Sequence, residues 1–339
     1  MNITVTGGTG MTGSYLLFKL AEKDYKITVL KRINSNINIT RKIFNSLSEK
    51  GELLFSEINW VNGDILDYRS VDFAVKNADF VYHTAAMVSF KPKDKKRMIY
   101  NNVQGTANIV NACLANSVKK LCHVSSVAAI GNAHEGEFLK EDTELTDFEN
   151  ISDYAVSKFQ SEREVWRGMA EGLNAIIVNP SIILGAGNWK VGSPRLIKTI
   201  WDGLKFYTKG INGFVDVRDV ADIMIQLTEH NISNERFILN GENISYKKLF
   251  DMIAENLGKK SSSVLAGSFM LKGLIYFDKM RYIFTGKEPR LTKHTLRSAQ
   301  KKHGCSNEKI KLALNYEFLP VEQSIKDICQ IFLKEFNTK

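Results

Sequence analysis

The stretch Ile3-Thr-Val-Thr-Gly-Gly-Thr-Gly-Met-Thr-Gly13 decides the architecture of this chain. Four β-branched residues make a short strand that runs straight into Gly7, Gly8, Gly10 and Gly13. An amphipathic run, Ser14 to Lys23, follows at once. Strand, glycine-rich turn and helix in this order form a dinucleotide-binding unit. Glycine permits the tight turn, lets the backbone approach a pyrophosphate and lets the helix pack close to the strand. The pyrophosphate then meets the N–H groups that a helix leaves free at its start. Glycine-rich strings occur in many turns. This one gains meaning from the strand before it and the helix behind it.

Outward from that unit the pattern repeats. Apolar strands are expected at Ile3–Thr6, Ile27–Leu30, Ile58–Val61, Phe80–His83, Leu121–Ser125 and Ala175–Val178. Helical stretches lie between them, near Ser14–Lys23, Thr40–Lys50, Ser70–Val75, Met98–Asn116 and Tyr154–Glu171. This alternation predicts an α/β, Rossmann-type doubly wound parallel sheet covered on both faces. After Pro180 the pattern loosens through Gly185, Gly187, Gly192 and Pro194. A helix is expected over 196–206, a short strand at Phe214–Val217 and a helix at Val220–Glu229. From about 240 onward short helical pieces dominate. The reading is a cofactor-binding domain, 1–179 plus 213–234, and a smaller, mainly helical C-terminal substrate lobe, 180–212 plus 235–339.

The composition, 339 residues with 44% hydrophobic and 24% charged, suits a globular protein with a large core. The first strand starts at Ile3, so no signal peptide is expected. Lys272 and Asp278 interrupt the most apolar run, 264–284, which rules against a transmembrane segment but leaves contact with a membrane surface open. Cys113, Cys122, Cys305 and Cys329 are scattered without a CxxC, and the six His lack HExxH spacing. Reduced thiols, a cytoplasmic location and no metal site are expected. The net charge is +9, densest over Lys91-Pro-Lys-Asp-Lys-Lys-Arg97. No aromatic residues interleave there, so the run reads as a solvated face and not as a nucleic-acid patch.

Ligands in such sheets sit beyond the C-terminal strand ends. The fifth strand ends in His123-Val-Ser-Ser126, and Tyr154-Ala-Val-Ser-Lys158 follows on a helix. Tyr and Lys at i and i+4 share a helix face. A nearby ammonium favours the phenolate and lowers the phenol pKa, so the pair can move protons at working pH. Ser126 can hold a carbonyl oxygen beside them. Ser125 is expected only to cap or support the turn. Alone, a YxxxK is a surface helix with a snorkelling Lys; behind a dinucleotide unit it becomes a catalytic candidate.

Together, Gly7-x-x-Gly10-x-x-Gly13, Ser126 and Tyr154-x-x-x-Lys158 resemble the extended short-chain dehydrogenase/reductases. Gly63-Asp-Ile-Leu-Asp67, His83-Thr-Ala-Ala86, Asn102-Val-Gln-Gly-Thr106, Asn179-Pro-Ser-Ile-Ile-Leu-Gly185 and Phe214-Val-Asp-Val-Arg-Asp-Val-Ala221 are similar to further motifs of that family, in the same order. The resemblance implies catalysis by Ser126, Tyr154 and Lys158. It implies cofactor contacts from Gly7, Thr9, Gly10, Met11, Gly13, Arg32, Asp64, Ile65, Ala85, Lys158 and Pro180, with Asp64 at the adenine and Lys158 also on the nicotinamide ribose. Other roles are read for some of these motif residues. Asp64 could merely turn the chain. Asn102 reads as a backbone brace, His83 as a packed strand end and Asp219 as an N-cap or buried anchor.

The second strand ends Lys31-Arg32, where NAD-binding proteins place an acid on the ribose 2′-hydroxyl. A guanidinium binds a 2′-phosphate through two hydrogen bonds, so NADP(H) is expected over NAD(H). Arg32 also aligns with an Arg of dihydroflavonol-reductase-like members. The segment Lys272 to Arg290 is apolar and aromatic, and Leu312-Ala-Leu-Asn-Tyr316 precedes Pro320. Both resemble the dihydroflavonol reductase and 3β-hydroxysteroid dehydrogenase branch. The leading expectation is an NADP(H)-dependent reductase of a ketone or aldehyde, acting on a small-molecule carbonyl or hydroxyl substrate. A nucleotide-sugar epimerase or dehydratase is the alternative, weakened by Val127 where dehydratases carry an acid. A non-catalytic NADP(H) sensor is a third, weakened by the retained Tyr154 and Lys158. A homodimer stays open.

Overall fold

The computed structural model describes residues 1–133, 136–145, 151–267 and 304–337. Its main sheet contains β1 (Asn2–Thr6), β2 (Lys26–Lys31), β3 (Asn59–Asn62), β4 (Phe80–His83), β5 (Lys120–Val124), β6 (Ala175–Pro180) and β10 (Glu235–Leu239). The order across the sheet is β10-β6-β5-β4-β1-β2-β3, and every neighbouring pair is parallel. The order reverses between β1 and β4, which is where a doubly wound sheet opens a ligand crevice.

Both faces of the sheet are covered, as the apolar strands require. On one face Ile3, Val5, Val29, Tyr82, Cys122 and Ile176 pack with Leu16, Leu17 and Leu20 of α1 (Met11–Glu22) and Ile223 and Leu227 of α8 (Val217–Glu229). On the other face Leu30, Val81, Leu121, Ala175 and Ile177 lie under α4 (Tyr68–Val75), α5 (Lys95–Ala115) and α6 (Asp153–Ala170). Between β2 and β3 the single helix expected over Thr40–Lys50 is two, α2 (Asn38–Leu47) and α3 (Gly51–Ser56). Ser48 has extended backbone and breaks the run.

A second core joins Leu184, Trp189, Ile197, Phe214, Leu249, Ile253, Ile325 and Phe332. It is built from α7 (Pro194–Trp201), α9 (Tyr246–Asn256), α11 (Val321–Asn337) and a small sheet of β7 (Ile182–Leu184), β9 (Ile211–Asp216) and β11 (Glu242–Ser245). A further pair joins β8 (Phe206–Tyr207) to β12 (Val264–Leu265). Arg218 ties the lobe to the main domain, with bonds of 2.8 Å to Asp216 and to Asp327 of α11.

The division of the chain differs from the sequence reading in three places. β10 falls within 235–339, yet it pairs with β6 at the edge of the main sheet. Ile310 of α10 (Glu308–Leu314) is buried in the main core, and Lys309 donates to the Arg236 carbonyl at 3.0 Å. β9 serves both cores, because successive side chains point to opposite faces: Phe214 enters the lobe and Val215 the main domain. The segment 272–290, and most of 264–284, lies outside the described residues. Among the described residues, no helix is long and apolar enough to cross a membrane.

Candidate active site

The candidates gather at the C-terminal ends of the parallel strands: Gly7 after β1, Arg32 after β2, Asp64 after β3, Ala85 after β4, Ser126 after β5 and Pro180 closing β6. At the switch point the glycines have distinct tasks. Gly7 has φ +77°, and a Cβ there would lie 2.5 Å from the Ala85 nitrogen. A Cβ on Gly13 would lie 2.3 Å from the Gly7 carbonyl oxygen. Both sites need glycine for the fold itself. Gly10 differs, because its Cβ would meet only the Gly7 oxygen, at 3.3 Å. Space is therefore kept open on the side of Gly10 where a ligand backbone could come close.

Gly10 is also the N-cap of α1 and supplies no side-chain acceptor. α4, α6, α8 and α9 instead start on Asp67, Ser152, Asp216 and Ser245, whose side chains accept first-turn N–H groups. The α1 N-terminus thus keeps N–H groups for an anion, and the residues fit a pyrophosphate. Thr9 and Met11 flank Gly10. Met11 packs close to Gly185, where a Cβ would reach its sulfur at 3.0 Å.

A cleft of about 670 Å³ runs between the ends of β2 and β3, lined by Arg32, Asn62, Gly63, Asp64, Asp67 and Ser70 among others. Arg32 forms no side-chain hydrogen bond or ion pair among the described residues. Lys31 instead donates to Asn62 Oδ1 at 2.6 Å. Asp64 turns the chain through one oxygen, accepting from the Leu66 N–H at 3.0 Å. Ile65 packs on Gly105, where a Cβ would lie 2.4 Å from its Cδ1.

Ser126 Oγ accepts from the Ala128 N–H at 3.2 Å and starts a short 3₁₀ turn, Val127–Ala129. The Tyr154 phenol is half-buried and lies near enough to the Ser126 hydroxyl to feel it. Burial raises the phenol above its ordinary pKa, and the Ser126 hydroxyl offsets this in part. Lys158 is buried, and its Nζ donates to the Val124 carbonyl at 2.8 Å. Desolvation lowers its amine to about 8, against an opposing pull from Glu162. The expectation that Lys158 lowers the Tyr154 pKa is therefore corrected. The ammonium is aimed at Val124, and Ser126 is the group that favours the phenolate. That bond is the only one Lys158 Nζ makes among the described residues, which leaves donors for ribose hydroxyls. Ser125 does not cap the turn; its hydroxyl is buried without a partner among the described residues.

The supporting residues behave as read. Asn102 braces the loop after β4, accepting from the Met87 N–H at 2.7 Å and donating to the Met87 carbonyl at 2.9 Å. His83 is packed between Thr6 and Thr106, at 2.7 and 3.1 Å, and burial lowers its pKa to about 3. Asp219 anchors the C-terminal motif: it accepts from the Tyr316 hydroxyl at 2.9 Å and the Leu319 N–H at 3.1 Å. Sequence reasoning missed Phe90, whose ring centroid lies 5.6 Å from that of Tyr154. It also missed Asn179 as a brace, which donates to the Ser126 carbonyl at 3.0 Å. No spacing rule points to either, because each contact spans more than 50 residues.

The family described as NAD dependent epimerase/dehydratase matches residues 3–240. The chain belongs to this family. Its relatives include sterol demethylase protein B of Methylococcus capsulatus, 26% identical over 304 residues, covering 88% of this chain and 88% of that one. Anthocyanidin reductase of Arabidopsis thaliana is 27% identical over 282 residues, covering 75% of this chain and 80% of that one. The solved structure of gox2253 superposes with a TM-score of 0.81 at 29% identity, covering 98% of both chains. This epimerase/dehydratase member is an NAD(P)-dependent oxidoreductase that uses a nicotinamide cofactor and a small-molecule substrate, as expected.

Proposed function

We propose that the protein is a cytoplasmic NADPH-dependent carbonyl reductase for an apolar ketone or aldehyde, with Ser126, Tyr154 and Lys158 as its working residues. The observation that carries this reading is the loop after β4. Val88 and Phe90 are 61% and 44% exposed, with Phe90 beside the Tyr154 ring. This loop is not loose. Asn102 clamps Met87 from both sides, and Ser89 donates to Asp94 Oδ2 at 2.7 Å. Apolar groups held exposed on a braced loop next to a proton donor suit an apolar substrate better than a nucleotide sugar.

The phenol of Tyr154, held above its ordinary pKa, stays protonated at neutral pH and suits proton donation to a carbonyl oxygen. Ser126 accepts from Ala128 through a lone pair, so its O–H can turn from the phenol to hold the same oxygen. Lys158 grips the ribose with the donors that Val124 does not use. Gly10 and the α1 N-terminus take the pyrophosphate, Asp64 and Ile65 take the adenine side, and Arg32 takes the 2′-phosphate. When bound, the nicotinamide supplies the hydride. The test is a turnover screen with NADPH and NADH against aldehydes, ketones and nucleotide sugars. NADPH oxidation with an apolar carbonyl is the expected result. Turnover of a nucleotide sugar alone would move the assignment to an epimerase or dehydratase, and no turnover at all would favour a sensor.

A further inference from the structure

α6 carries a third ionisable residue in register with the other two. Glu162 lies one turn beyond Lys158 and two beyond Tyr154, and its side chain is 3% exposed. A carboxylate is costly to bury unless it is paired and hydrogen-bonded. Glu162 accepts from Asn179 Nδ2 at 2.8 Å, Arg236 Nη1 at 3.0 Å and Trp166 Nε1 at 3.3 Å. Arg236 alone would satisfy the charge. Two other relations lead into the site. The same Asn179 nitrogen donates to the Ser126 carbonyl at 3.0 Å, so one amide joins Glu162 to the backbone that carries the Ser126 hydroxyl. Lys158 stands at i−4 on the same helix face.

We propose that Glu162 is a positioning residue for this site: its carboxylate balances the Lys158 ammonium and, through Asn179, fixes where Ser126 stands. Among the described groups that face Lys158, Glu162 is the one anion. Tyr154 on its own helix is neutral below its raised pKa. His83 from β4 and His123 from β5 are held far below their ordinary pKa by burial and are neutral. Asn102 and Thr106 of α5 and Asn179 of β6 carry no charge. Among the described residues Arg236 of β10 is the cation paired with Glu162, and its Nε donates onward to the Glu141 carbonyl at 2.7 Å. Desolvation strips the proton from Lys158 above about pH 8, and Glu162 is the charge that works against it.

The inference rests on the proposed roles of Lys158 and Ser126, so its test includes a reading that needs no turnover. Lys158 is titrated in the cofactor-free protein by the ¹⁵N signal of its Nζ, assigned by its loss in Lys158→Met. Glu162→Gln keeps the side-chain length and removes the charge. The midpoint is expected to fall clearly below the parent's value of about 8. The alkaline limb of NADPH affinity should follow it. Arg236→Met breaks the same ion pair but keeps the acid, and its midpoint should not fall. If Glu162→Gln does not fold, Glu162→Gln with Arg236→Gln removes the acid without leaving a bare guanidinium, and the same fall is expected. An unmoved midpoint in the variants lacking the acid would overturn the proposal, as would an equal fall in Arg236→Met. A Tyr154→Phe enzyme with full turnover would defeat the catalytic reading and leave this titration standing.

Discussion

Helices α1 and α6 both begin at the ligand-facing edge of the sheet, and they begin in opposite ways. α1 starts on Gly10, which has no side chain to accept a first-turn N–H. α6 starts on Ser152, whose hydroxyl accepts from the Ala155 N–H at 3.1 Å. The first helix is left electrostatically unfinished and can be completed by an anion. The second is capped by its own Ser152, and its first turns carry Tyr154 and Lys158 in fixed register. A binding end is marked by what it lacks, whereas a chemical end is marked by how fully it is braced.

The sharpest way to break this contrast is at the braced end. Tyr154→Phe removes one hydroxyl and should cut turnover by roughly 10²–10⁴ while NADPH affinity stays near that of the parent. Separate measurements of affinity and turnover in the folded variant check it; near-normal turnover disproves the mechanism. At the unfinished end the effects should appear in binding instead. Arg32→Ala removes the guanidinium at the mouth of the cleft. It should weaken NADPH by about ten- to a hundredfold and leave NADH little changed. Equal losses in parallel titrations of the two would sink the assignment to the 2′-phosphate.

Gly10→Ala sharpens the comparison further. Its methyl group meets only the Gly7 oxygen, at 3.3 Å, so the melting temperature should hold. Both cofactors should bind about tenfold more weakly, a loss of about 1.4 kcal/mol, because the methyl occupies the approach of the pyrophosphate. A variant that melts early but binds normally when folded would show that Gly10 serves the fold, as Gly13 does. The smallest effect is expected from Ser152→Ala. Losing that cap should cost about 1 kcal/mol of stability, seen as a small drop in melting temperature, with cofactor affinity unchanged. Were affinity to drop as well, the two helix starts would not be independent.

What could be read from the sequence follows from how local each signal is. The unit from Ile3 to Gly13 and the pair Tyr154 and Lys158 are legible because each acts within a few residues, through strand period, glycine geometry and helix spacing. β10 was not legible. Glu235 and Arg236 open it, and they hide an edge strand whose partner β6 lies about 60 residues earlier. The link from Glu162 to Arg236 spans 74 residues. The Val124 carbonyl that holds Lys158 is a backbone atom and leaves no mark on residue types. The direction of the Tyr154 shift was misread for the same reason: it depends on burial and on Ser126, which only the folded chain brings to it.

The contact between Gly7 and the loop after β4 carries a consequence for how the protein meets its ligands. With no room for even one methyl group between Gly7 and the Ala85 nitrogen, and with Thr84 donating to the Thr6 carbonyl at 2.7 Å, the two loops form one wall. Asn102 carries that wall on to Met87, just before Phe90. The surfaces proposed for the pyrophosphate and for the substrate therefore share a rigid seat before either arrives. Little ordering is left to be done when they bind, and the backbone from 6 to 13 and from 83 to 91 should move by less than about 1 Å between the free and loaded protein.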